Sequence, residues 1–292
     1  MDINRGSMNA LFTAVKAALA LGLAMASLPA AEIAMEVKSS TKIENYPMTK
    51  LLSSMREWVG PRKVQDLKSE LLAVVNGDFE HTIGIDRNDF EDDQMGLYTP
   101  MFQMMGQDAN NLWGRLIKNA MVANGDWLDG EAFFGASRTY GNNTIANYVT
   151  TALSETTFNT AYEAMMSYQN HADQAIGVVP DTLIVGPTNR TVAHGIVNQG
   201  PGATAANPNA GLVKVIVHPL LVGTYANYWF LGQFNGVVKP ILLQKRKVGA
   251  LTRMDSETAA CVFEKNENQY GLHYRGAAAL ALPHLLYAGF KS

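Results

Sequence analysis

Residues 96–125, GLYTPMFQMMGQDANNLWGRLIKNAMVANG, limit the possible folds more than any other stretch of this chain. Met101, Met105, Ala109, Leu112, Leu116 and Ala120 recur at steps of three and four, which puts them on one stripe of an α-helix. Gln103, Gln107, Asn111, Arg115 and Lys118 fall on the opposite side. Thr99 suits the cap of the first turn, Pro100 the first helical position, and Gly125 the left-handed residue that ends a helix. At 1.5 Å per residue, a helix over 100–124 spans roughly 37 Å. Chain from elsewhere must cover so long an apolar stripe, so the helix is expected to be a spine.

The 292 residues can bury a large core, and 47% hydrophobic against 17% charged residues marks a folded chain. A formal charge of −3 gives no electrostatic reason for sequence-specific binding to nucleic acid or for an acidic membrane surface. The single Cys261 excludes an intrachain disulfide and a cysteine zinc site. No repeat recurs at a fixed period.

At the N-terminus, Arg5 and Lys16 precede the apolar run 17–28, and small residues follow at Ser27, Ala30 and Ala31. That is the outline of a secretory signal peptide over 1–31, too short and Ala-rich for a membrane span. Lys16 nevertheless sits inside a helical pattern made by Leu11, Phe12, Val15, Leu19 and Leu23, which predicts a retained, packed N-terminal helix.

Residues 34–55 are polar and irregular and read as an extended arm. Residues 64–75 and 79–86 flank Asn76-Gly77, the pair best suited to a type I′ turn, and predict a long β-hairpin. A two-stranded ribbon of that length is marginal unless another surface covers it. Asn235-Gly236 predicts a second hairpin by the same signal. The acidic stretch 86–93, DRNDFEDD, lacks the glycine and ligand spacing of a calcium loop and reads as a solvated loop leading into the spine. Residues 127–138 read as a glycine-punctuated connector. Residues 150–247 have the rhythm of an α/β unit. There Ser154 caps a helix through Tyr168, 181–187 is a buried strand, Thr188 caps a helix ending near Val197, 199–209 is a mobile loop and 213–217 a strand. CVFEK and YGLHYRG, within 261–292, are strand-like.

Signals of chemistry are missing. The sequence has no Gly-rich phosphate loop, no GxSxG and no HExxH, and the six histidines lack metal-ligand spacing. No catalytic, cofactor or metal residue is nominated.

The order of segments is informative. SSTKIENY, REWVGPRKV, DFEHTIGIDRNDFEDDQMGLYTPMFQMMGQDA, TALSETTFNTAYEAMMSY, PDTLIVGP, YWFLGQF, VKPILLQKRK and VFEKNENQYGLHYRGAAA together resemble the major head (major capsid) protein family of Mu-like tailed bacteriophages. The resemblance covers about residues 36–279. It implies an α+β fold of the Hong Kong 97 type. Residues 1–46 would be an N-terminal arm, 47–95 the extended loop and its lead into the peripheral domain, 96–149 the peripheral domain with the spine, 150–247 the axial domain and 248–292 the return. It further implies a structural protein and not an enzyme, without cofactor, that self-assembles as pentamers and hexamers into an icosahedral head around double-stranded DNA. Implied partners are a separate scaffolding protein, a portal, decoration proteins and DNA by non-specific contact, with no membrane. The expected place is the virion, after assembly in the host cytoplasm. Asn76, Gly77, Phe79, Asp86, Arg87, Asp89, Glu91 and Lys16 are the expected intersubunit residues. Two alternatives are an exported α/β enzyme or binding protein with a signal peptide at 1–31, and a nanocompartment shell on the same fold.

Overall fold

A computed structural model describes residues 5–25, 28–49, 69–92, 98–140, 143–170, 173–198 and 206–290. In chain order its elements are α1 (Arg5–Ala24), β1 (Met35–Lys38), β2 (Ile43–Thr49), β3 (Ser69–Val75), β4 (Gly77–Asp86), α2 (Arg87–Glu91) and α3 (Thr99–Ala123). Next come β5 (Arg138–Tyr140), β6 (Asn143–Ile145), β7 (Tyr148–Val149), α4 (Glu155–Met166), β8 (Thr182–Val185) and α5 (Arg190–Val197). The chain closes with β9 (Lys214–Val217), β10 (Trp229–Gly232), β11 (Ile241–Lys247), β12 (Thr252–Met254), α6 (Ala260–Lys265), β13 (Glu267–Leu280) and β14 (Leu286–Gly289).

The spine, α3, is present, but its buried face is turned from the expected stripe. Phe102, Met105, Gly106, Ala109, Leu112, Trp113, Gly114, Ile117 and Met121 are buried, while Met101 is exposed. Two partners grip the helix and widen that face. On one side β13 sets Tyr270 edge-on to Phe102 and Tyr274 edge-on to Trp113. On the other side α1 buries Met8, Leu11, Val15, Ala18 and Leu19 in the same core.

α1 is long and apolar enough to cross a membrane, by length and composition, which corrects the expectation that it is too short. Here its apolar face lies on the spine. A Cβ on Gly106 would meet the Leu19 carbonyl oxygen at 2.3 Å, and one on Gly22 the Gln103 carbonyl oxygen at 1.9 Å, so glycine is what permits the close crossing. The supposed polar face of α3 then has a task. Asn110 donates to the Leu23 carbonyl and Gln107 to the Met25 carbonyl, while Asn111 accepts the Leu28 N–H. The first two bonds satisfy carbonyls at the end of α1, and the third an N–H of the chain that follows it. α3 itself ends on Asn124 in the left-handed conformation, not on Gly125, because the Asn124 side chain clasps the backbone N–H and C=O of Phe134.

Two five-stranded sheets flank the spine. In the first, β1 runs parallel to β11, β11 antiparallel to β13, and β13 also pairs with β12 and with β4. In the second the order is β7-β14-β10-β8-β9. Its three middle strands, LYAG, WFLG and TLIV, are buried on both faces. Alternation sorts their side chains. Ile184, Phe230, Leu286 and Ala288 face the spine core, whereas Leu183, Val185, Trp229, Leu231 and Tyr287 face α4 and α5. α4 begins at the expected Ser154, with a capping box to Thr157. α5 ends at Val197 as expected, but no side-chain cap starts it: a short 3-10 turn, Pro187–Asn189, leads in.

Both Asn-Gly hairpins are absent. β3 pairs with β2, in the register Ile43↔Val75 to Thr49↔Ser69, and β4 pairs with β13. Neither Asn76 nor Gly77 has positive φ. Asn235-Gly236 likewise joins β10 and β11, which lie in different sheets. The expected strand CVFEK is the helix α6. β11 belongs to the first sheet and β14 to the second, so the sheets do not follow a cut at residue 247. Residues 64–68 of the expected hairpin, and 199–205 of the expected mobile loop, lie outside the described residues.

Candidate functional site

The β2–β3 ribbon has two unlike faces. Strand alternation turns Tyr46, Leu72 and Val74 inward, where they pack with Leu242, Ala279 and Ala281 of the first sheet and its end. The outward side carries Ile43, Pro47, Leu71, Ala73 and Val75 around the polar Asn45, all exposed, with Leu71 57% and Val75 55% accessible. Pro47 is tolerated because β2 pairs on one side only. Beside the ribbon, a groove of about 240 Å³ between β3, the end of α3 and β13 is lined by Leu72, Ala120, Ala123, Phe133 and Leu280.

A buried polar hub sets the ribbon's direction. Asn76 donates to Ser39 Oγ and to the Thr41 carbonyl, both at 2.9 Å, and accepts from Gln244 Nε2 at 2.7 Å. Gln244 is fully buried and accepts the Tyr46 hydroxyl at 2.8 Å. At the turn before β2, the Ser40 N–H (2.7 Å), the Thr41 N–H (2.9 Å) and the Ser39 hydroxyl (3.0 Å) close on the Glu44 carboxylate and hold its pKa down to about 2. Burial, and then the Glu44 charge, push the Tyr46 phenol above its ordinary range. On the next strand, bonds from His273 and the Arg275 guanidinium hold Asp78 below the usual carboxylate range.

The residues nominated from sequence are scattered by this arrangement. Asn76 is buried at the hub, so it positions the ribbon and has little surface to offer a neighbour. Gly77 and Phe79 open β4, with Phe79 packed against the main core. Asp86 is exposed and caps the Asn88 N–H at the start of α2, in which Arg87, Asp89 and Glu91 also lie. Asp89 accepts the Tyr98 hydroxyl just before the spine, and Lys16 is exposed on α1. Sequence reasoning missed Gln244 and Ser39, whose only signal is a polar side chain on an otherwise apolar or connecting segment. It also missed Arg138, buried against Asp129, the Ala132 carbonyl and the Trp127 ring, which braces the connector after the spine.

Among the described residues, no group of three His, Cys, Asp or Glu is placed to hold a metal. What the geometry offers is an exposed apolar ribbon on a rigid mount, suited to docking.

A family profile described as "Mu-like prophage major head subunit gpT" matches residues 8–151, 136–221 and 222–291. The chain is 36% identical over 138 residues to the major capsid protein of Escherichia phage Mu, covering 46% of this chain and 45% of that protein. It is 24% identical over 256 residues to the Mu-like prophage FluMu major head subunit of Haemophilus influenzae, covering 87% and 63%. The chain thus spans between about half and two thirds of these relatives' lengths. The fold is similar to that of a chain in the procapsid of bacteriophage JBD30, with a TM-score of 0.63 and 21% identity over 99% of this chain and 77% of that one.

Proposed function

The chain belongs to the Mu-like prophage major head subunit family, and from that membership we propose that it is a major capsid protein. In this reading it associates with its own copies, as pentamers and hexamers, into an icosahedral head around double-stranded DNA. Its fold is α+β, of the Hong Kong 97 type found in tailed-phage capsids.

The observation that carries the reading is the apolar outward face of the β2–β3 ribbon, which isolated chains leave wet. Apolar rows of this kind on a mounted ribbon are stabilised by covering them, at roughly 25 cal/mol per Å² removed from water. We assign the extended loop to this ribbon, one strand earlier in the chain than the Asn76-Gly77 signal suggested. The second sheet with α4 and α5 takes the part of the axial domain, and the spine with the first sheet that of the peripheral domain. A scaffolding protein, a portal, decoration proteins and non-specific DNA contacts complete the proposed set of partners, with the virion as destination and the host cytoplasm as the site of assembly.

Electron microscopy and light scattering of the purified chain, alone and with a scaffolding protein, test this reading. Closed shells of uniform size are expected. A monodisperse 31.8 kDa monomer under both conditions would overturn it.

A further inference from the structure

A buried imidazole lies where the second sheet meets the spine. His218 directly follows β9, has no exposed surface, and donates its backbone N–H to the Val185 carbonyl at the end of β8 (2.8 Å). Its Nδ1 accepts the Leu220 N–H at 3.3 Å, inside a tight turn closed by the Leu221 N–H on the His218 carbonyl at 3.1 Å. That turn is packed hard against β8's end: a Cβ on Gly186 would meet the Leu221 carbonyl oxygen at 2.3 Å.

From the other side α3 presents the Gly114 carbonyl to the ring, and Nε2 is sealed from water without a hydrogen bond of normal geometry. The one charged group acting on the ring among the described residues is Lys118, also on α3. Its ammonium sits 4.6 Å from the centre of the Tyr225 ring, which belongs to the 3-10 turn Gly223–Tyr225. β8 contributes a backbone carbonyl and no charge.

We propose that His218 is a proton-operated pin between the spine helix and the second sheet. Neutral, it holds the 218–221 turn against α3; protonated, it releases that turn. Because Nδ1 is an acceptor, the neutral ring carries its hydrogen on Nε2. A second proton must go on Nδ1, where it meets the Leu220 N–H donor to donor. The same proton places a positive charge beside Lys118 in a site closed to water. Turning the ring out relieves both, and that requires the turn and α3 to part.

Burial, with Lys118 adding to it, draws the ring's pKa down to about 4, so the pin acts between the ordinary value near 6.5 and about 4. The opened state takes the proton first, and opening becomes more favourable as the pH falls through that window.

Hydrogen exchange of the full chain by mass spectrometry, with rates corrected for the intrinsic effect of pH, tests the proposal. Peptides covering 110–120 and 214–226 should lose protection by at least about tenfold between pH 7 and pH 4.5. In His218→Gln, which can still accept from Leu220 but cannot titrate, the loss should stay within about twofold. Lys118→Met, at a partly exposed site, should reduce the wild-type loss, and His284→Gln should keep it. An unchanged wild-type profile across this pH range would overturn the proposal, as would an equal loss in His218→Gln. If His218→Gln does not fold, Lys118→Met decides, and a loss identical to wild type overturns the proposal.

Discussion

Gln244 Nε2 donates to Asn76 Oδ1 over 2.7 Å, joining a residue of β11 to one 168 positions earlier, where the chain leaves the ribbon and enters the β4–β13 ladder. The contact fixes the ribbon to the first sheet, and any surface the ribbon presents depends on it. Truncating Asn76 removes its bonds to Ser39 Oγ and the Thr41 carbonyl and leaves the buried Gln244 amide only the distant Val74 carbonyl, at 3.5 Å. Asn76→Ala should lower stability by about 1–3 kcal/mol, seen as an earlier urea midpoint with an unchanged slope. A midpoint equal to wild type would mean that the hub is replaced by water at no cost.

The ribbon's outward face separates folding from assembly. Ile43→Asp with Leu71→Asp alters two exposed positions, so the isolated chain should keep its stability within about 0.5 kcal/mol. Shell yield by sucrose gradient and microscopy should fall sharply. Shells at wild-type yield would show that this face is not an interface.

Glycines in two helices should respond oppositely to alanine. In Gly106→Ala the new methyl would lie 2.3 Å from the Leu19 carbonyl oxygen and 2.9 Å from the Leu23 nitrogen, backbone atoms that move only with α1. The variant should lose about 1–3 kcal/mol, with faster hydrogen exchange in α1. Gly195, inside α5, has open space around it, and Gly195→Ala should gain about 0.5–1 kcal/mol. Thermal melts of the two variants check the contrast.

Acid sensitivity should arise in part at His284, on the turn before β14. Burial alone draws its pKa down to about 4. The unfolded chain takes this proton near pH 6.5 and the folded chain not until about 4. Stability from this group is therefore complete above 6.5 and falls as the pH drops to about 4, by a total on the order of 3 kcal/mol. Urea midpoints of wild type and His284→Gln should converge on acidification, the variant losing less. Parallel pH profiles would place the acid sensitivity elsewhere.

Elements specified by local periodicity were legible from residues alone. The spine's length follows from its 3.6-residue pattern, the Ser154 cap from a hydroxyl placed just before an apolar helical pattern, and the buried strand TLIV from its unbroken apolar run. The order of motifs along the chain likewise carried the family, without reference to how they pack.

Partner choice belongs to the tertiary structure. Asn76-Gly77 and Asn235-Gly236 both have the best local signal for a tight turn, and neither makes one. Turn preference is a local effect on the order of 1 kcal/mol, and ten residue pairs along β4–β13 together with the buried Asn76–Gln244 bond outweigh it. At the second pair, the Asp181 carboxylate accepts the N–H groups of Phe234 and Asn235 and steers the chain from one sheet to the other. The spine's buried face was set in the same way. Met101 and Phe102 are equally apolar on paper, but only Phe102 meets Tyr270, 168 residues away, and a contact that distant leaves no trace in the spacing of neighbours.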